Sequence, residues 1–148
     1  MSDFATNPRA RFDYEILETI EAGLVLRGYE VKSIKTGKIS IKGAYVRIIN
    51  GAPWLVGAII APYQSGNVPP DYQEQADRKL LLSRSQVATL VGLAHAHGVS
   101  LVPLRLYAKK GLIKLEIGIA RGKKKYDKRE SIKKKDIARS RQRGMNEE

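Results

Sequence analysis

Residues 99–120 read VSLVPLRLYAKKGLIKLEIGIA, and this stretch decides the fold class. From Leu112 to Ala120, Ile113, Leu115, Ile117 and Ile119 alternate with Lys114, Glu116 and Gly118. A period of two places one set on a buried face of a strand and the other on an exposed face. Val99 to Tyr107 follows the same rule, and Lys109-Lys110-Gly111 joins the two runs. The stretch therefore predicts two alternating strands joined by a short connection, with Lys114 facing solvent.

Similar signals recur upstream. Phe12, Tyr14 and Ile16 stand two apart with Asp13 and Glu15 between them, which predicts a half-buried strand over residues 12–20. Glu21-Ala22-Gly23 reads as a bend, and Leu24-Val25-Leu26 resumes extended chain. The apolar runs Ala44 to Ile49 and Trp54 to Ile60 are joined through Asn50-Gly51. Both turn residues accept the positive φ of a type I′ hairpin turn. Tyr29 to Thr36 predicts a short helix, with Val31 and Ile34 on one side and Gly37 as its stop. Ser83 with Gln86 three positions on forms a capping box for a longer helix. Its apolar face is Val87, Leu90, Val91 and Ala94, and Gly98 is placed to end it. Between these elements, residues 62–77 hold three prolines and predict a long polar loop. About six strands and two helices make a mainly β fold. The expected form is a closed Greek-key barrel of the oligonucleotide-binding (OB) type with flanking helices, ahead of an open α+β sandwich.

The charge is strongly positive, with 27 Lys+Arg against 15 Asp+Glu in 148 residues and a formal net charge of +12. Residues 1–122 carry 16 basic and 10 acidic side chains, whereas residues 123–148 carry 11 and 5. The last stretch has few large apolar residues and cannot repay its own ordering entropy. The chain therefore divides into a flexible N-terminus over residues 1–10, a barrel body over 11–122 and a basic tail over 123–148, disordered when free. In the tail Lys123, Lys124, Lys125, Lys128 and Arg129 surround Tyr126, a grouping suited to phosphates beside an aromatic ring. A polyanion, RNA or DNA, is the partner such a balance favours.

Other classes of chemistry fall away. The chain has no cysteine, so disulfides, thiolate catalysis and cysteine-based zinc sites are excluded. The N-terminus has no signal-peptide h-region, and the longest nearly apolar stretch, residues 52–62, is far short of a membrane span. A cytoplasmic protein with no membrane contact is expected. His95 and His97 lie about 200° apart on a helix and cannot share a metal. No nucleotide-binding or hydrolase motif occurs. Asp13, Glu15, Glu18 and Glu21 are close enough to suggest a metal-dependent nuclease, but Glu18 breaks their strand parity and a solvated face accounts for them better. No catalytic residue, cofactor or metal is predicted.

Several stretches together carry a resemblance. They are Tyr14-Glu15-Ile16, Glu21-Ala22-Gly23-Leu24-Val25-Leu26, Gly28-Tyr29-Glu30-Val31-Lys32-Ser33-Ile34 and Gly37-Lys38. Arg78-Lys79-Leu80-Leu81-Leu82, Val102-Pro103-Leu104 and Gly122-Lys123-Lys124-Lys125-Tyr126-Asp127-Lys128-Arg129 follow in order. Over residues 7–137 the chain resembles the small protein B family, the SsrA-binding proteins of bacterial trans-translation. The resemblance implies a non-enzymatic OB-type barrel that binds the tRNA-like domain of transfer-messenger RNA. It further implies delivery to stalled 70S ribosomes, with elongation factor Tu engaged through the RNA complex. The tail then enters the vacant mRNA channel near the decoding centre and becomes helical. Carried over by position, the RNA-facing residues are Glu21, Leu81, Ser83 and Lys114, joined by Lys123, Lys124 and Lys125. Tyr126, Asp127, Lys128, Arg129, Ile132 and Lys133 are the tail residues implied to act on the ribosome. Ser83 stands where the family usually has asparagine, and Phe12 where it often has histidine. A general RNA-binding or ribosome-associated barrel is the alternative reading.

Overall fold

The computed structural model describes residues 3–64, 66, 68–96 and 98–123. The chain runs β1 (Asp3–Thr6), α1 (Pro8–Asp13), β2 (Tyr14–Leu24), α2 (Gly28–Lys35), β3 (Ile39–Ser40) and β4 (Tyr45–Ile49). It continues with β5 (Ala52–Val56), β6 (Ile59–Ile60), β7 (Arg78–Leu81), α3 (Arg84–Ala94), β8 (Val99–Lys109) and β9 (Leu112–Gly122). The fold is mainly β. Seven strands form one antiparallel sheet in the order β1-β8-β9-β2-β7-β5-β4, and β3 pairs with β6 in a two-stranded ribbon.

Turn chemistry sets the hairpins. Asn50 and Gly51 both take positive φ, 52° and 75°, as the β4–β5 hairpin requires. Lys110 and Gly111 do the same between β8 and β9, at 50° and 77°. The connection is thus a two-residue turn. Ser83 caps α3 by accepting from the Gln86 N–H at 3.2 Å, while Gln86 Oε1 accepts from the Ser83 N–H at 3.2 Å. The helix ends at Ala94, a turn before Gly98. Leu90, fully buried, fixes it to the sheet, a contribution of about 1.5–3 kcal/mol.

The main core gathers the inward residues of β9 (Ile113, Leu115, Ile117, Ile119) with Ile34 of α2, Leu55 of β5 and Leu80 of β7. A second, smaller core lies on the other side of the long hairpin, where Ala10 of α1 meets Val102, Leu104 and Ala120. Gly118 makes that contact feasible. A Cβ there would stand 3.2 Å from Leu104 Cδ1 and 3.3 Å from Ile16 Cδ1. The alternation of β9 therefore ends at Gly118, and both faces are covered from there to Ala120.

Three expectations change. Residues 3–6 are not loose: they pair antiparallel with β8, Asp3 opposite Tyr107 and Thr6 opposite Arg105. Phe12 belongs to α1, because Pro8 at the first helical positions starts a helix that holds the chain until Asp13. Glu21-Ala22-Gly23 does not bend. It lies within the unbroken eleven residues of β2, paired with β9 on one side and β7 on the other. Among the described residues the hydrogen-bonded ladder has β4 and β1 as its edges. Across the gap, β4 and the first half of β8 line a cleft of about 600 Å³ with the end of α3.

The polar loop 62–77 is tied down from below. Arg78 is 4% exposed, and its guanidinium donates from Nε and Nη2 to Glu30 Oε2 at 3.1 and 2.9 Å. Its Nη1 reaches the carbonyls of Ala58 (3.0 Å), Glu74 (2.9 Å) and Ala76 (2.6 Å). Glu30 Oε1 accepts from the Arg27 N–H at 3.0 Å, so the carboxylate also holds the start of α2. Among the described residues no buried side-chain nitrogen or oxygen is left without a partner.

Candidate nucleic-acid interface

The outer face of the sheet collects three of the sequence-predicted residues, Glu21, Leu81 and Lys114. Glu21 and Gly23 are two apart on β2 and share that face. Gly23 is paired with Leu81 of β7 on one side and Lys114 of β9 on the other. A Cβ built on Gly23 would lie 3.4 Å from Leu81 Cβ and 3.7 Å from Lys114 Nζ, so both side chains lean over the glycine. Leu81 is 53% exposed, a large apolar surface beside an ammonium that makes no ion pair among the described residues. Ser83 lies two residues beyond Leu81 at the start of α3. Its hydroxyl already serves the cap, accepting from the Gln86 N–H and standing 3.1 Å from Gln86 Oε1.

Glu21 has company that the sequence did not assign. It faces Glu116 across the β2–β9 ladder, and like charges so placed repel. Neighbouring donors offset this. Tyr107 Oη donates to Glu21 Oε2, and Lys109 Nζ stands 3.3 Å from both carboxylate oxygens. Arg105 bridges Glu116 (3.3 Å) and Asp3 (2.9 Å), with its guanidinium 4.2 Å from the centre of the Tyr107 ring. The Tyr107 hydrogen bond, aided by the charges of Lys109 and Lys114, holds the Glu21 carboxyl below the usual carboxylate range. Burial, and then the bond and charge of Glu21, push the Tyr107 phenol up to about 12. Arg105, Tyr107 and Lys109 stand two apart on β8, the same parity signal that exposed Lys114. The sequence therefore held the clue, but not the partner 86 residues away.

Chemically, the patch offers an acceptor, a cation and an apolar shelf within three adjacent strands. The remaining lone pairs of Glu21 suit a base N–H or a ribose hydroxyl, Lys114 suits a phosphate, and Leu81 suits a ring or ribose face. The carboxylates weighed for a nuclease are not gathered: Asp13 meets Arg9 at 3.3 Å at the end of α1, far along β2 from Glu21. Among the described residues no group of three or more acidic or histidine side chains is disposed to hold a metal. No helix among them is long and apolar enough to cross a membrane.

Lys123 is elsewhere. Its N–H bonds to the Asp13 carbonyl at 2.9 Å, beyond the end of β9 where Gly122 pairs with Tyr14. Lys114 and Gly122 are eight positions apart on β9, about 26 Å at the rise of a β-strand. The chain thus leaves the body at the opposite end of β9 from the patch. Lys124, Lys125, Tyr126, Asp127, Lys128, Arg129, Ile132 and Lys133 lie outside the described residues, as does His97.

Comparison with known proteins bears on the whole length. A family model described as SmpB protein matches residues 4–147. The SsrA-binding protein of Acetivibrio thermocellus is 48% identical over 143 residues, 97% of this chain and 92% of the relative. That of Thermosynechococcus vestitus is 47% identical over 139 residues, 94% and 91% of the two chains. A solved chain described by the words "tmRNA-SmpB: a journey to the center of the bacterial ribosome" superposes with a TM-score of 0.66. It is 41% identical, and the match covers 86% of this chain and 92% of that one. Because these matches take in the sheet, the helices and the basic C-terminal stretch alike, the chain belongs to the SmpB protein family.

Proposed function

We propose that this protein is a non-enzymatic RNA-binding factor of trans-translation. Its body holds the tRNA-like domain of transfer-messenger RNA on the outer face around Glu21, Leu81 and Lys114, with Ser83 at the margin. The observation that carries the reading is the meeting of Leu81 and Lys114 over Gly23, in a chain nearly half identical to SsrA-binding proteins over almost its full length. The sheet closes into an OB-type barrel by packing of β4 against β8 rather than by a further hydrogen-bonded ladder. The body ends near Gly122, and the basic segment 123–148 works on the 70S ribosome in the vacant mRNA channel near the decoding centre. Lys123, Lys124 and Lys125 add phosphate contacts where the two parts join, and Tyr126 to Lys133 act with the ribosome. Elongation factor Tu joins through the RNA, in the cytoplasm. The separation of Lys114 from Gly122 supports this division of labour, since RNA bound at one end of β9 leaves the other free.

A competition binding assay between transfer-messenger RNA and bulk tRNA tests the assignment. A preference of tenfold or more is expected, and equal binding would reduce the protein to a general RNA binder. Deleting residues 131–148 should leave RNA affinity within about threefold, or ~0.7 kcal/mol, while abolishing peptide tagging in a reconstituted stalled-ribosome reaction.

A further inference from the structure

The outer face continues past Leu81 onto a second rung. Trp54 of β5 is directly paired with Lys79 of β7 on one side and Arg47 of β4 on the other. Directly paired residues point to the same face of a sheet. Arg47 and Lys79 are exposed and Trp54 is half-buried, while its chain neighbours Pro53 and Leu55 are buried. The chain's one tryptophan therefore sits on the solvent side of a strand, flanked by two cations.

Folding does not account for that choice. On β8 the outer cations are matched: Arg105 has Asp3 and Glu116, and Lys109 has Glu21. Neither Arg47 nor Lys79 makes an ion pair or side-chain hydrogen bond among the described residues. Asp71 and Asp77 line the groove of about 870 Å³ that holds Trp54, Lys79 and Arg27, yet neither is bonded to either cation. A partly exposed indole between two uncompensated cations matches an unpaired base and its flanking phosphates. Position agrees with charge, because Lys79 and Leu81 are two apart on one short strand. The Lys79 carbonyl also accepts from the Val25 N–H at 2.9 Å, which fixes this rung to β2 beside the patch.

We propose that Arg47, Trp54 and Lys79 form a stacking subsite for one unpaired RNA base, continuous with the Leu81–Lys114 patch. This rests on the RNA-binding reading above. The subsite extends the RNA footprint across β5 to the edge strand β4, and its specificity is for unstacked loop nucleotides rather than duplex.

Trp54 reports on itself, being the only tryptophan. The full chain is titrated with the isolated tRNA-like domain of transfer-messenger RNA, following indole fluorescence and filter binding on the same samples. Quenching that saturates with filter binding is expected. Trp54→Ala should weaken binding between about fivefold and a hundredfold, the usual range for loss of one stacked base. Trp54→Phe, which keeps a ring, should stay within about threefold of the parent, and Arg47→Ala and Lys79→Ala should each flatten the salt dependence. The two single-cation variants leave the core untouched, so they answer even where the alanine at 54 misfolds. RNA binding with unchanged indole emission and unchanged salt dependence in both cation variants would overturn the subsite while leaving the RNA-binding reading intact. No binding of the parent chain at all would overturn both.

Discussion

Arg78 and Lys79 are neighbours on β7 and have opposite fates. Arg78 turns inward, where three carbonyls and the Glu30 carboxylate take its donors. Lys79 turns outward, and its ammonium has no bonded partner among the described residues. Strand parity alone sends one cation to structure and the next to solvent. The difference separates two uses of charge in a chain of net +12: inside, charge is matched atom for atom, and outside, part of it is left over for an anion. Variants on the inner face should therefore change stability, and those on the outer face should change RNA binding.

The largest effect is expected from Arg78→Ala. It strands the Glu30 carboxylate in a site where its side chain is only 9% exposed, and removes the donors that hold loop 62–77. Breaking one partner of a buried pair costs about 3–5 kcal/mol. Urea denaturation should register that loss, and Arg78→Lys should recover only part of it, since an ammonium lacks the planar fork. A loss below about 1 kcal/mol would mean that the inner and outer cations do not differ in kind.

Lys114→Ala is the outer counterpart. If Lys114 neutralises one phosphate, the slope of log K against log salt should flatten by about 0.7–0.9. At 0.1 M salt that amounts to about 1 kcal/mol of RNA affinity. Stability should move by less than about 0.5 kcal/mol. Leu81→Ala should weaken binding with the slope intact. A slope unaltered by Lys114→Ala would remove this lysine from the phosphate contacts.

What the sequence showed and what it hid follow the same division between local and distant. Asn50-Gly51, the Ser83–Gln86 box and the alternation of β9 are decided within a few residues, and each was legible. The N-terminal strand was not, because four residues, Asp3 to Thr6, carry no period of their own and gain a ladder only from β8, about a hundred positions later. Gly23 suggested a bend, whereas the strand continues through it because both neighbours, Leu81 and Lys114, hold it in register. Of the site, the parity of Lys114 was readable. The match of Glu21 with Tyr107 and of Glu30 with Arg78 was not, since pairs separated by 86 and 48 residues leave no pattern in one chain.

Arg105→Ala probes the middle ground between the two faces. Its side chain is 38% exposed, and its partners Asp3 and Glu116 are themselves partly solvated. Solvent screening limits such pairs, so the stability loss should be at most about 1 kcal/mol. Removal of the guanidinium also leaves Glu116 opposite Glu21 without its counter-ion, so RNA affinity should fall as negative potential grows around the patch. A loss near that of Arg78→Ala would show that the outer network, too, is a structural clamp.

The smallest effect is the response of the outer patch to pH. Glu21 is held below its usual value of 4.5, so its contribution to stability is present above that pH and is lost as pH falls through the lower folded value. Tyr107 is raised from 10.0 to about 12, so its contribution is whole below pH 10 and disappears as pH rises through that interval. Between these limbs the pair is a charged acceptor and a neutral donor, and the patch is constant across the neutral range. Tyr107→Phe removes the donor that lowers Glu21 most. Carbon-detected NMR titration should then find the Glu21 carboxyl moved back toward its ordinary value, with the late-titrating phenol absent from the ultraviolet difference spectrum. RNA affinity near neutral pH should change little, because Glu21 stays ionised and keeps Lys109 beside it. An unchanged Glu21 titration in this variant would mean that Lys109 and Lys114 set its charge. The carboxylate would then answer in part to Lys114, the unpaired cation assigned to the RNA, and bound phosphate should itself shift the Glu21 titration upward.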